Sequence, residues 1–72
     1  MIESRIEKIF TKLFALDAPR AINKADNEEW DSLKHIELIL ELEDEFDLEI
    51  NDDQSAQIHD FNSCLKIIKG SN

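Results

Sequence analysis

The side chains in this 72-residue chain that could do chemistry are one cysteine, two histidines, a surplus of carboxylates and one well-placed serine. Cys64 with His35 or His59 would suit nucleophilic catalysis. Cys64, however, recurs with Phe61, Leu65 and Ile68 at helical spacing, which puts the thiol on a core stripe as a packing group. His35 falls at the core edge of its helix and His59 in a turn, with no metal-ligand spacing between them. The acids from Asp44 to Asp53 lack the central glycine and the alternating oxygen ligands of a calcium loop. With 17 acidic residues, carboxylate pairs can be drawn almost anywhere, so none singles out glycoside chemistry. No catalytic or metal-binding residue is expected, and the chain reads as a non-enzyme.

Ser32 stands apart because of its position. Asp31 is placed to cap a helix, which leaves Ser32 in the first turn. Free backbone N–H groups and the positive end of the helix dipole favour a phosphate ester there. A serine at a helix start is commonplace, so the assignment depends on what surrounds it.

The elements around Ser32 read as helices. Residues 2 to about 15 form a first amphipathic helix, with Ile2, Ile6, Ile9, Phe10 and Leu13 on one side and Glu3, Arg5, Glu7, Lys8 and Lys12 on the other. Phe14 and Leu16 add apolar weight at its exit, and Pro19 blocks continuation. Asp17 to Asp31 shows no sustained period and reads as a long loop, anchored by Ala21, Ile22 and Trp30. A second helix runs from Ser32 to about Phe46. Leu48 and Ile50 tuck inward after it, a short third helix covers about Asp53 to Gln57 with Ala56 and Ile58 as its contacts, and Asp60 caps a fourth that Gly70 ends. The fold class is therefore all-α: a small four-helix bundle, residues 1–72 as one domain, with three longer helices and a long loop between the first two. Ile6, Phe10, Leu13, Leu38, Leu42, Phe46, Ile58, Phe61, Leu65 and Ile68 are expected to form much of the core.

The second helix carries two apolar stripes. At about 100° per residue, His35, Leu38, Ile39, Leu42 and Phe46 face the core. Leu33, Ile36, Glu37, Leu40 and Asp44 fall roughly opposite, with Glu41 and Glu43 on the flanks. A domain this small is not expected to bury both, so the second stripe reads as a protein-binding surface bordered by acids. The formal charge of -9 argues against nucleic acid and anionic membranes, and matches a partner with a basic patch. A single cysteine and the lack of any apolar run of membrane-spanning length lead us to expect a cytoplasmic location.

The twenty residues from Asp31 to Ile50 resemble the signature of acyl carrier proteins: Asp31-Ser32-Leu33, the pair Glu37-Leu38, the run Leu42-Glu43-Asp44-Glu45-Phe46, and Ile50. The flanking helices and loop extend the resemblance over the whole chain. It implies that Ser32, with Asp31 beside it, accepts 4'-phosphopantetheine from coenzyme A through a Mg²⁺-dependent phosphopantetheinyl transferase, and that the arm's thiol carries an acyl group as a thioester. It further implies a monomer whose partners, among them synthases, acyltransferases and ligases, dock through Leu33, Ile36, Glu37, Leu40, Glu43 and Asp44, and cargo held between the helices in a space that opens on loading. Glu29-Trp30 and Lys34 depart from the Gly-Ala pair and the acid of fatty-acid-synthesis carriers. Trp-Asp-Ser-Leu followed by His35 looks more like stand-alone carriers of specialised lipid or secondary-metabolite pathways. An aminoacyl or peptidyl carrier, or an unmodified interaction module with the same fold, are the alternatives.

Overall fold

A computed structural model describes residues 2–14 and 18–70. Among them, α1 spans Ile2–Phe14, α2 Ser32–Phe46, α3 Asp52–Gln57 and α4 Phe61–Gly70, and no strand forms. Two single 3₁₀ turns, Pro19–Ala21 and Lys24–Asp26, occupy the segment expected to be an irregular loop. Short turns of this kind carry no hydrophobic period, so the pattern of side chains does not announce them. Asn23 caps the second turn by accepting from the Ala25 N–H at 2.9 Å, and the Lys24 N–H donates to the His59 carbonyl at 2.7 Å. The segment is thereby tied to the start of α4.

Each helix has a local reason to begin or end. In α3 the Asn51 carboxamide oxygen accepts from the Gln54 N–H at 2.8 Å, and the Gln54 side chain accepts from the Asn51 N–H at 3.0 Å. This reciprocal cap starts α3 at Asp52, one residue earlier than expected. Asp60 caps α4 as expected, accepting from the Ser63 N–H at 2.7 Å. The α2 helix ends at Asp47, which adopts the left-handed conformation (φ 51°) and returns its N–H to the Glu43 carbonyl. A short polar side chain tolerates that conformation better than most.

The core is aromatic at its centre. Phe10 lies 5.6 Å from Trp30 and 6.1 Å from Phe61, centroid to centroid, and Phe14 lies 5.3 Å from Trp30. Ile6, Ile9, Ile22, Leu38, Leu42, Ile50, Ile58, Cys64 and Ile68 complete it. Leu13, Phe46 and Leu65, expected within the core, are only partly buried at its edge. The Phe46 ring is covered on its outer side by the Arg5 guanidinium, 4.4 Å from its centroid. Ala21, expected as a loop anchor, and Ala56, expected as a contact of the third helix, are exposed, while Ile22 and Ile58 are buried. Leu16 lies outside the described residues.

Candidate functional site

Ser32 is the first residue of α2 and is exposed. Its placement is determined from both sides. On the C-terminal side, the Asp31 carboxylate accepts from the Lys34 N–H at 2.9 Å and the Asp31 carbonyl accepts from the His35 N–H at 2.9 Å. On the N-terminal side, Trp30 is buried against Phe10 and Phe14, so the residue before the cap is held by the core. The result is a hydroxyl presented to solvent at a capped helix N-terminus, where backbone N–H groups and the dipole stabilise an attached phosphate.

Trp30 does more than pack. Its indole N–H donates to Nδ1 of His35 at 2.9 Å. That bond requires an unprotonated Nδ1, so in the neutral ring Nε2 carries the proton. Nε2 in turn lies 2.9 Å from the Ser55 carbonyl oxygen and 3.1 Å from Ser55 Oγ. One imidazole thus joins the residue before the cap, the first turns of α2, and α3. Residue types and spacing do not expose this relay: they place His35 at the core edge of its helix and do not single out Ser55. A Trp and a His five residues apart across a helix start was the available signal.

The second stripe of α2 is where helical geometry placed it. Leu33, Ile36 and Leu40 are 66%, 57% and 59% exposed, large fractions for aliphatic side chains in so small a protein. The acids around it are largely engaged within the chain. Glu37 lies 3.6 Å from Lys34, Glu41 3.0 Å from Lys12, and Glu45 2.7 Å from Arg5. Glu43 accepts from the Ile50 N–H at 2.8 Å, so its carboxylate braces the connection into α3. Asp44 is exposed. On one side of the stripe, Lys12, Leu13, Glu37, Leu40, Glu41 and Asp44 line an open groove between α1 and α2. On the other, Ile36, Ile39, Leu40, Ile50, Asp52 and Ser55 line a smaller depression of about 180 Å³ between α2 and α3.

The remaining chemical candidates sit away from this surface. Cys64 is buried, and burial pushes its thiol up to about 12. Hydrogen bonding from the Ser63 side chain, then from its backbone N–H, holds the Asp60 carboxyl below the usual carboxylate range. Backbone hydrogen bonding at the start of α1, with Lys69 nearby, lowers Glu3 in the same way. Among the described residues no group of three or more His, Cys, Asp or Glu is arranged to hold a metal ion. No helix among them is long and apolar enough to cross a membrane.

No protein-family model matches the chain. It is nevertheless similar along nearly its whole length to curated proteins. It is 31% identical over 74 aligned residues to an acyl carrier protein of Buchnera aphidicola subsp. Schizaphis graminum, covering 99% of this chain and 94% of that protein. It is 35% identical to the acyl carrier proteins of Buchnera aphidicola subsp. Acyrthosiphon pisum strains 5A and Tuc7, covering 99% of this chain and 92% of each. A helical bundle with a capped, exposed serine at the head of a doubly apolar helix, together with this end-to-end similarity, leads to one conclusion: the chain belongs to the acyl carrier protein family.

Proposed function

We propose that Ser32 is the attachment point for 4'-phosphopantetheine and that the chain carries an acyl intermediate for partner enzymes in a specialised lipid or secondary-metabolite pathway. The observation that carries this reading is the exposed Ser32 hydroxyl at the capped start of α2, directly below the exposed strip of Leu33, Ile36 and Leu40. The residues present suit the group. The helix N-terminus favours its phosphodiester, and the open surface around Ser32 leaves the arm free to move. When bound, the group supplies a terminal thiol on which cargo is held as a thioester.

The chain itself positions and presents. Asp31 and Trp30 hold Ser32 in place for a phosphopantetheinyl transferase. Leu33, Ile36 and Leu40 provide apolar docking area, while Glu37, Glu43 and Asp44 offer charge to ligases, synthases or acyltransferases with a basic patch. Lys34, 3.6 Å from Glu37, offsets part of that negative charge beside the attachment site. This supports a partner set different from that of a carrier with an acid at the same place. The lone buried thiol accords with work in a reducing cytoplasm.

Intact-mass analysis after incubation with coenzyme A, Mg²⁺ and a broad-specificity phosphopantetheinyl transferase tests the proposal, with Ser32→Ala alongside. A single mass gain on the wild type and none on the variant is expected. No gain on the wild type, or an equal gain on both, would overturn it.

A further inference from the structure

Ile36 lies one helical turn along from Ser32 on the same side of α2, and it helps to line the depression between α2 and α3. The bundle behind α2 and α3 is tightly packed: Leu38 and Leu42 of α2 and Ile58 just after α3 are fully buried, and Ile50, which lines the depression, is itself buried. Passage into the core from this side requires α3 to move away from α2.

Two sets of polar contacts hold α3 against α2, one before it and one near its C-terminal end. Before α3, the Ile50 N–H donates to Glu43 of α2 at 2.8 Å. Near its C-terminal end, His35 Nε2 meets both the carbonyl and the hydroxyl of Ser55 at 2.9 and 3.1 Å. The imidazole cannot rotate to follow a departing α3 without giving up the indole N–H of Trp30, and Trp30 is itself fixed by Phe10 and Phe14. Opening this seam therefore breaks both sets of bonds, all of them among half-buried groups.

We infer that the His35–Ser55 clasp keeps cargo outside the helix bundle, so that this carrier serves short acyl groups resting in the surface depression rather than long fatty chains enclosed between helices. The inference rests on the carrier reading and specifies its substrate class. The depression, about 180 Å³ and open to solvent, accommodates a group of a few carbons beside Ile36 and Leu40. A longer chain would extend into water. His35 acts here as a positioning residue, through Ser55.

The test loads wild-type protein, His35→Ala and His35→Leu with acetyl- or octanoyl-phosphopantetheine from the corresponding acyl coenzyme A, with loading read by intact mass. The rate of thioester cleavage by hydroxylamine and the thermal midpoint are then measured. His35→Leu keeps side-chain bulk and helix propensity, and serves if His35→Ala fails to fold. On the wild type, the two thioesters are expected to be cleaved within about twofold of each other and octanoyl to leave the midpoint unchanged, because its methylenes stay in water. On the His35 variants, octanoyl cleavage is expected to slow by about tenfold relative to acetyl as α3 becomes free to open. A protected octanoyl thioester on the wild type would overturn the inference, as would variants that leave octanoyl as accessible as the wild type does. Failure to load either group at Ser32 would instead refute the carrier reading beneath it, and the mass spectrum separates the two results.

Discussion

Replacing Trp30 with Phe tests whether the indole N–H ties the head of α2 to the bundle. The change keeps an aromatic ring between Phe10 and Phe14, whose centroids lie 5.6 and 5.3 Å from that of Trp30, but removes the donor 2.9 Å from His35 Nδ1. Loss of the bond, with the acceptor left half-buried, costs about 1 kcal/mol. The smaller ring adds about 1 kcal/mol of lost packing, well short of the roughly 3–5 kcal/mol of a full truncation to Ala. At about 4–8 °C per kcal/mol for a domain of this size, the midpoint should fall by about 8–16 °C. Thermal and urea unfolding of the wild type, Trp30→Phe, His35→Leu and the double variant completes a cycle in which the Trp30–His35 pair, bonded and stacked at 6.0 Å between centroids, appears as a coupling of about 1 kcal/mol. Strictly additive effects would refute the relay, leaving Trp30 as packing and His35 as an independent residue.

Other expected outcomes follow from the same geometry. Ile36→Gln or Leu40→Gln changes an exposed residue for one of good helix propensity, so stability should move by no more than about 0.5 kcal/mol while transferase kcat/KM falls by about tenfold; unchanged kcat/KM would remove the strip from docking. Native apo protein should resist thiol alkylation until unfolded, because Cys64 is buried and its thiol is pushed up to about 12; prompt labelling near neutral pH would contradict the buried placement. Asp60, held below its ordinary range by Ser63, contributes stability that is present above the unfolded value of about 3.9 and is lost as pH falls through its lower folded value. Asn retains the cap but not the charge. Asp60→Asn should therefore be less stable than the wild type near neutral pH and converge with it under acid; a deficit that persists once the aspartate is protonated would point to packing.

What could be read in advance follows from range along the chain. The two stripes of α2 are legible because a helix converts spacing directly into direction, and the exposure of Leu33, Ile36 and Leu40 bears that out. Asp31 and Ser32 are legible as a cap and the first residue of a helix because both act on the same helix turn. The start of α3 lies one residue before the expected Asp53, and Asn51 and Gln54 carry the spacing of the reciprocal cap that sets it. The 3₁₀ turns carry no period and so leave no mark in the pattern of side chains. The link from His35 to Ser55 spans twenty residues and exists only once α3 packs against α2, so no local pattern foretells it. The same holds for Glu43: helical direction places it on the flank of the second stripe, and only the fold shows its carboxylate bound to the Ile50 N–H.

The most direct measurement is residue-level localisation of the added group. Protein treated with coenzyme A, Mg²⁺ and transferase is cleaved, and the modified peptide is fragmented in the mass spectrometer. The modification should fall on Ser32 alone, at the capped head of α2. Its appearance on Ser4, Ser55, Ser63 or Ser71, or on no residue at all, would contradict the assignment of Ser32 as the point from which this protein carries its cargo.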